Sequence, residues 1–98
     1  MVTVSALFTI DIPQSHPLKE KRGDGRPLVE RLRTRLRVTA TEIGLQDRVD
    51  AAQVGFAVVS GDASTARAVA DEARRFVEDY LIGRGEVIDA AIEETTLH

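Results

Sequence analysis

The chain of 98 residues contains no cysteine, no tryptophan and no asparagine, and only four aromatic residues, Phe8, Phe56, Phe76 and Tyr80. Without cysteine there are no disulfides, no thiolate nucleophile and no thiolate metal site, a composition suited to a reducing compartment. Apolar runs are short. None approaches the roughly 18 residues that read as a membrane-spanning helix, and the first residues do not combine a basic stretch, an apolar stretch and a small-residue cleavage site. The sequence therefore predicts a cytoplasmic protein without a membrane segment. Histidine is limited to His16 and His98, too few for a histidine-based transition-metal site. No metal and no cofactor are expected.

What is present is an ordinary globular composition, 43% hydrophobic and 30% charged, which argues against wholesale disorder. The length fits a single domain over 1–98. The formal net charge of −3 conceals an asymmetry. Between residues 19 and 37 stand eight basic side chains (Lys19, Lys21, Arg22, Arg26, Arg31, Arg33, Arg35, Arg37) against Glu20, Asp24 and Glu30, a net +5 that leaves −8 on the remainder. One region can attract a polyanion that the rest repels; the alternative is that these arginines are solvated helix flanks.

Residues 2–12 alternate, with Val2, Val4, Ala6, Phe8, Ile10 and Ile12 on one face and Thr3, Ser5, Leu7, Thr9 and Asp11 on the other, the period of a half-buried strand ended by Pro13. Leu28, Val29, Leu32 and Leu36 then recur at helical spacing behind Pro27, predicting a helix over 27–37. Gly23, Gly25 and Pro27 would cost an unbroken earlier helix about 5 kcal/mol of propensity, so a break near 23–26 is expected. β-Branched residues over 38–45 predict a second strand of ambiguous facing, suited to a sheet edge. A third strand is expected over 52–60, with Val54, Phe56 and Val58 opposite Gln53, Gly55, Ala57 and Val59. Asp62 is a suitable N-cap for a second helix on which Ala66, Val69, Ala70, Ala73, Phe76, Val77, Tyr80 and Leu81 form one stripe. Gly83 and Gly85 stop it. A fourth strand is expected over 86–94, with a frayed tail at 95–98.

The order βαββαβ, with two amphipathic helices able to cover one face of a four-stranded antiparallel sheet, predicts an α+β ferredoxin-like sandwich whose first and third strands are central. Three activities hosted by this topology can be weighed against the residues. An RNA-recognition sheet carries stacking aromatics on its open face; here that face would present Thr3, Ser5, Leu7, Thr9, Gln53, Gly55, Ala57 and Val59. Acylphosphatase chemistry needs an asparagine, and the chain has none. An assembly or regulatory module fits better, since the open face is flat and mildly polar and suits packing on a second copy as a homodimer.

No catalytic residue is assigned. Ser15 and His16 are adjacent in an extended segment and point apart, with no third group to complete a triad. Gly23-Asp24-Gly25 lacks the remaining residues of a phosphate-binding glycine loop. Lys19, Lys21, Arg22, Arg26, Arg33 and Arg37 are the candidate contacts to phosphate or nucleic acid, through point charges or guanidinium forks; the alternative for residues 19–22 is that they dock their own loop onto acidic sheet ends.

The run Ser15-His16-Pro17-Leu18-Lys19-Glu20-Lys21-Arg22 resembles the Ser-His-Ser-Leu-Lys-Glu-Lys-Arg hallmark of the YlxP-like family of small bacterial proteins of unknown function. Leu32-Arg33, Glu42, Gln46-Asp47, the stretch from Gly55 to Ser60 and Arg75-Phe76-Val77-Glu78 are similar to its other recurrent positions. The chain departs from it at residues 23–27, where a regular helix usually continues, and at Val49, where an aromatic is frequent. The resemblance implies a ferredoxin-like fold. It also implies a role near structured RNA or a ribosomal particle, because members are commonly encoded beside translation-initiation and ribosome-maturation factors.

Overall fold

The computed structural model describes residues 1–11, 26–44 and 51–98. The elements are β1 (Val2–Asp11), α1 (Arg26–Arg35), β2 (Thr39–Ile43), β3 (Ala51–Ser60), α2 (Ala63–Leu81) and β4 (Glu86–Thr96). The four strands form one sheet in the order β2-β3-β1-β4, antiparallel at every junction. Two helices on one face of a sheet with β1 and β3 at its centre make this an α+β ferredoxin-like sandwich.

Alternation in β1 and β3 places the core. Val2, Val4, Ala6, Phe8 and Ile10 of β1 and Val54, Phe56 and Val58 of β3 are buried beneath the helices. Because paired residues in a ladder point to the same side, the register Phe8↔Val54 and Ala6↔Phe56 brings the large side chains together, and the Phe8 and Phe56 rings meet at 5.7 Å with a 42° tilt. Leu28, Val29 and Leu32 from α1 and Ala66, Ala70, Ala73, Val77 and Leu81 from α2 close the core. The small residues of α2 let its backbone approach β1 and β3.

Asp62 caps α2 as its side chain suggests: Oδ2 accepts from the Thr65 N–H at 2.9 Å and from the Ser64 and Thr65 hydroxyls at 2.7 Å each. Those hydrogen bonds, Ser64's foremost, favour the ionised carboxylate and hold its pKa below the ordinary 3.8. At the other end, Ile82 (φ −57°, ψ 122°) and Gly83 (φ 80°) form a turn closed by the Arg84 N–H donating to Leu81 O at 2.8 Å. A positive φ at its third residue is the type II signature, and glycine adopts it without the steric cost of a Cβ.

Several boundaries move. α1 runs from Arg26 to Arg35, so Leu36 and Arg37 lie past its end in a bend although Leu36 still packs on the core. β2 shortens to Thr39–Ile43, and its pairing with β3 settles its facing: Ala40, opposite Phe56, is buried, while Thr39, Thr41 and Ile43 lie opposite Ala57, Gly55 and Gln53 on the open face. β4 continues to Thr96. The frayed tail expected from residue 95 is replaced by pairing of Thr95 and Thr96 with Thr3 and Val2, and Met1 and Leu97 exchange backbone hydrogen bonds at 2.8 Å. Alternation in β4 does not report burial either, since Ile88 and Ile92 remain 48% and 56% exposed. The helices lie mainly over the other three strands, and a bulge at Thr9/Ile10 interrupts the β1–β4 register.

Candidate nucleic-acid interface

α1 carries its basic residues on both flanks of its buried stripe, and each flank meets a different neighbour. On the sheet side, Arg33 Nε donates to the Ala40 carbonyl at 2.8 Å and Nη1 to Glu30 Oε2 at 3.3 Å. Arg33 therefore ties α1 to the edge strand β2 and satisfies a carbonyl there. That contact gives Arg33 a structural role, while its side chain stays 48% exposed. On the other flank, the Arg31 guanidinium carbon lies 5.2 Å from the centre of the Tyr80 ring on α2. Arg84, just past α2, lies 4.4 Å from the same ring centre, and its Nη1 donates to the Tyr80 carbonyl at 2.6 Å.

The other arginines differ sharply between the two helices. On α2, Arg67 makes a two-pronged bond to Glu94 of β4 at 2.7 and 2.8 Å, Arg74 bonds both Asp71 and Glu78, and Arg75 bonds Asp71. Hydrogen bonds from Arg74 hold the Asp71 carboxyl below its usual range, and those from Arg67 do the same for Glu94. In and just beyond α1, by contrast, Arg26, Arg31, Arg35 and Arg37 have no carboxylate partner among the described residues. Arg26 and Arg37 are exposed, as are Arg31 and Arg35.

Position within the sheet amplifies the contrast. α1 packs against β2, one edge of the sheet, whereas β4 forms the other edge and carries Glu86, Asp89, Glu93 and Glu94 with no basic residue. Among the described residues the domain thus has a basic end and an acidic end.

Of the residues singled out in the sequence, Arg26, Arg33 and Arg37 are in place at this end, with Arg33 committed to β2. Lys19, Lys21 and Arg22 lie outside the described residues, as do Ser15 and His16. Tyr80 and Arg84 were missed: the helical stripe marks Tyr80 only as core, and Arg84 sits in a turn signal. Helical spacing sets Arg31 and Arg35 on a different flank of α1 from Arg33, and Arg31 accordingly meets Tyr80 while Arg33 meets β2.

The open sheet face presents Thr3, Ser5, Leu7, Thr9, Gln53, Gly55, Ala57 and Val59, as the alternation predicts, so the aromatic stacking platform is absent from it. A shallow groove of about 500 Å³ crosses it, lined by Leu7, Thr41, Ile43, Gly55, Ala57 and Ala91 among others. Gly55 makes its floor: a Cβ there would stand 3.4 Å from Ile43 Cγ1, which lies over it. Among the described residues no three His, Asp or Glu side chains are grouped to hold a metal, and no helix is long and apolar enough to cross a membrane.

Residues 3–92 match the family model described as protein of unknown function DUF503. The chain belongs to that family. This DUF503 chain is also similar in fold to the de novo designed protein Foldit4, with a TM-score of 0.57 over 99% of this chain and 98% of that one at 14% identity. That likeness concerns the fold alone. None of the curated proteins matches the chain.

Proposed function

We propose that this DUF503 chain is a YlxP-like, non-enzymatic cytoplasmic binding protein that contacts structured RNA, free or in a ribosomal particle, through Lys19, Lys21, Arg22 and the arginines at the α1 end. The observation that carries this reading is the difference between the helices: every arginine of α2 is paired with a carboxylate, while Arg26, Arg31, Arg35 and Arg37 have no carboxylate partner among the described residues. Unpaired guanidiniums are weakly hydrated and present a donor fork matched to phosphate. With the acidic edge at β4 and no stacking platform on the sheet, phosphate and shape contacts would dominate binding.

Four to five such contacts predict an affinity for a labelled RNA hairpin that falls roughly 150- to 500-fold between 50 and 200 mM salt, measured by fluorescence anisotropy. Absence of binding at 50 mM salt, or binding indifferent to salt, overturns the reading.

The groove on the open face favours a second reading, a structural or ligand-sensing homo-oligomer in which that face packs on a second copy. A ten-residue strand is about 33 Å long and four strands are about 15–19 Å across, so pairing two faces would remove roughly 1,000–1,200 Å² from water, the low end for a stable interface. Sedimentation at tens of micromolar should show a dimer that Ala57→Asp converts to monomer. A wild-type monomer at that concentration sinks it.

A further inference from the structure

We infer that Arg31, Arg35 and Arg84, organised by the Tyr80 ring, form a distinct phosphodiester-binding cluster at the α1–α2 junction, on the flank of α1 opposite Arg33. The inference rests on the RNA reading above and adds a site to it. Tyr80 is half-buried and held by α2, so the ring is a fixed support. Arg31 at 5.2 Å and Arg84 at 4.4 Å from its centre are both within cation–π range. Contact with a ring restrains a guanidinium without consuming any of its five N–H donors. Arg84 spends one on the Tyr80 carbonyl. The others remain for a ligand.

A purely structural role does not account for the arrangement. A cation at a helix C-terminus complements the dipole there, and Arg84 does so at the end of α2. Arg31 comes from the middle of α1, however, and brings a second positive charge to the same ring. Glu30, beside Arg31, bonds Arg33 instead, and Asp79 and Glu86, the acids nearest Arg84 in sequence, form no ion pair with it among the described residues. Arg35, one turn after Arg31 and on the same side of α1, adds a third exposed guanidinium without a carboxylate partner among the described residues. An anion received between these groups relieves their mutual repulsion. A phosphodiester, with two outward oxygens, matches two forks arriving from different elements.

The test is fluorescence anisotropy of a labelled RNA hairpin titrated with wild-type protein, Arg31→Gln/Arg84→Gln, Arg35→Gln and Arg75→Gln, across 50–200 mM salt, with thermal melting of each. Removing a phosphate contact lowers the magnitude of the salt slope by about one, so the double variant should lose about two and bind at least tenfold more weakly at 50 mM. Arg35→Gln should lose about one. Arg75→Gln, whose charge is already neutralised by Asp71, should match wild type. A steep wild-type slope that the Arg31/Arg84 and Arg35 variants leave unchanged overturns the cluster and leaves the RNA reading standing. Should the double variant melt below the assay temperature, Arg35→Gln alone decides. If the wild type binds no RNA at 50 mM, the RNA reading falls first and the cluster with it.

Discussion

Val54→Asp leaves little folded protein at pH 7, whereas Ala57→Asp, three residues along the same strand, folds normally. Val54 is 0% exposed beneath the helices, and Ala57 lies on the open face. A buried carboxyl resists ionisation, and documented buried cases reach pKa values near 8–9. Folding at pH 7 then requires taking up a proton against an unfolded pKa near 4, about 4 kcal/mol at 1.36 per unit. Losing the buried valine adds about 1.5–3 kcal/mol. The sum matches the whole stability of many small domains, about 5–15 kcal/mol.

The sign of the pH effect separates this mechanism from simple misfit. A raised folded-state pKa applies its full penalty above that pKa and none below the unfolded value, so Val54→Asp should gain structure between pH 7 and pH 5. The wild type behaves in the opposite sense. Its Asp62, Asp71 and Glu94 carboxyls have lowered pKa values. Their stabilisation is complete above the ordinary carboxylate range and is lost only as pH falls through the folded values. Circular dichroism melts at pH 7 and pH 5 should show the variant recovering while the wild type barely changes; a variant equally unfolded at both would show that protonation is not the controlling cost.

Phe8→Ala is expected to lower the thermal midpoint by about 15–30 °C. Phe8 is 1% exposed, pairs with buried Val54 across β1–β3 and meets the Phe56 ring at 5.7 Å. Truncating a fully buried phenylalanine costs about 3–5 kcal/mol, and each kcal/mol moves the midpoint of a domain of this size by about 4–8 °C. Phe8→Leu, which keeps most of the volume, should lose far less. A drop below 5 °C for Phe8→Ala would mean that the core collapses around the cavity.

Much of the fold was legible because its central elements obey simple periods. Alternation in β1 and β3 identified both faces of the sheet, and the stripe on α2 identified the residues that meet them. Asp62 announced its cap through its side-chain chemistry and position. Legibility failed at the edges. β2 and β4 each have only one neighbouring strand, so apolar alternation there need not correspond to a buried face, as exposed Ile88 and Ile92 show. The last residues of β4 were unreadable as strand because their pairing partners, Thr3 and Val2, stand at the opposite end of the chain.

The basic region followed the same division. The sequence by itself determined that positive charge is concentrated between residues 19 and 37 and that Arg31 and Arg35 lie on a different flank of α1 from Arg33, because spacing on a helix sets angular position. Only the tertiary structure decided which of those charges are spent. Arg33 bonds a carbonyl on β2, the arginines of α2 bond carboxylates on α2 and β4, and Arg31 is brought to a ring that also receives Arg84. The physical reason is that periodicity assigns a side chain to a face, while its partner is set by the packing of elements far apart in the chain.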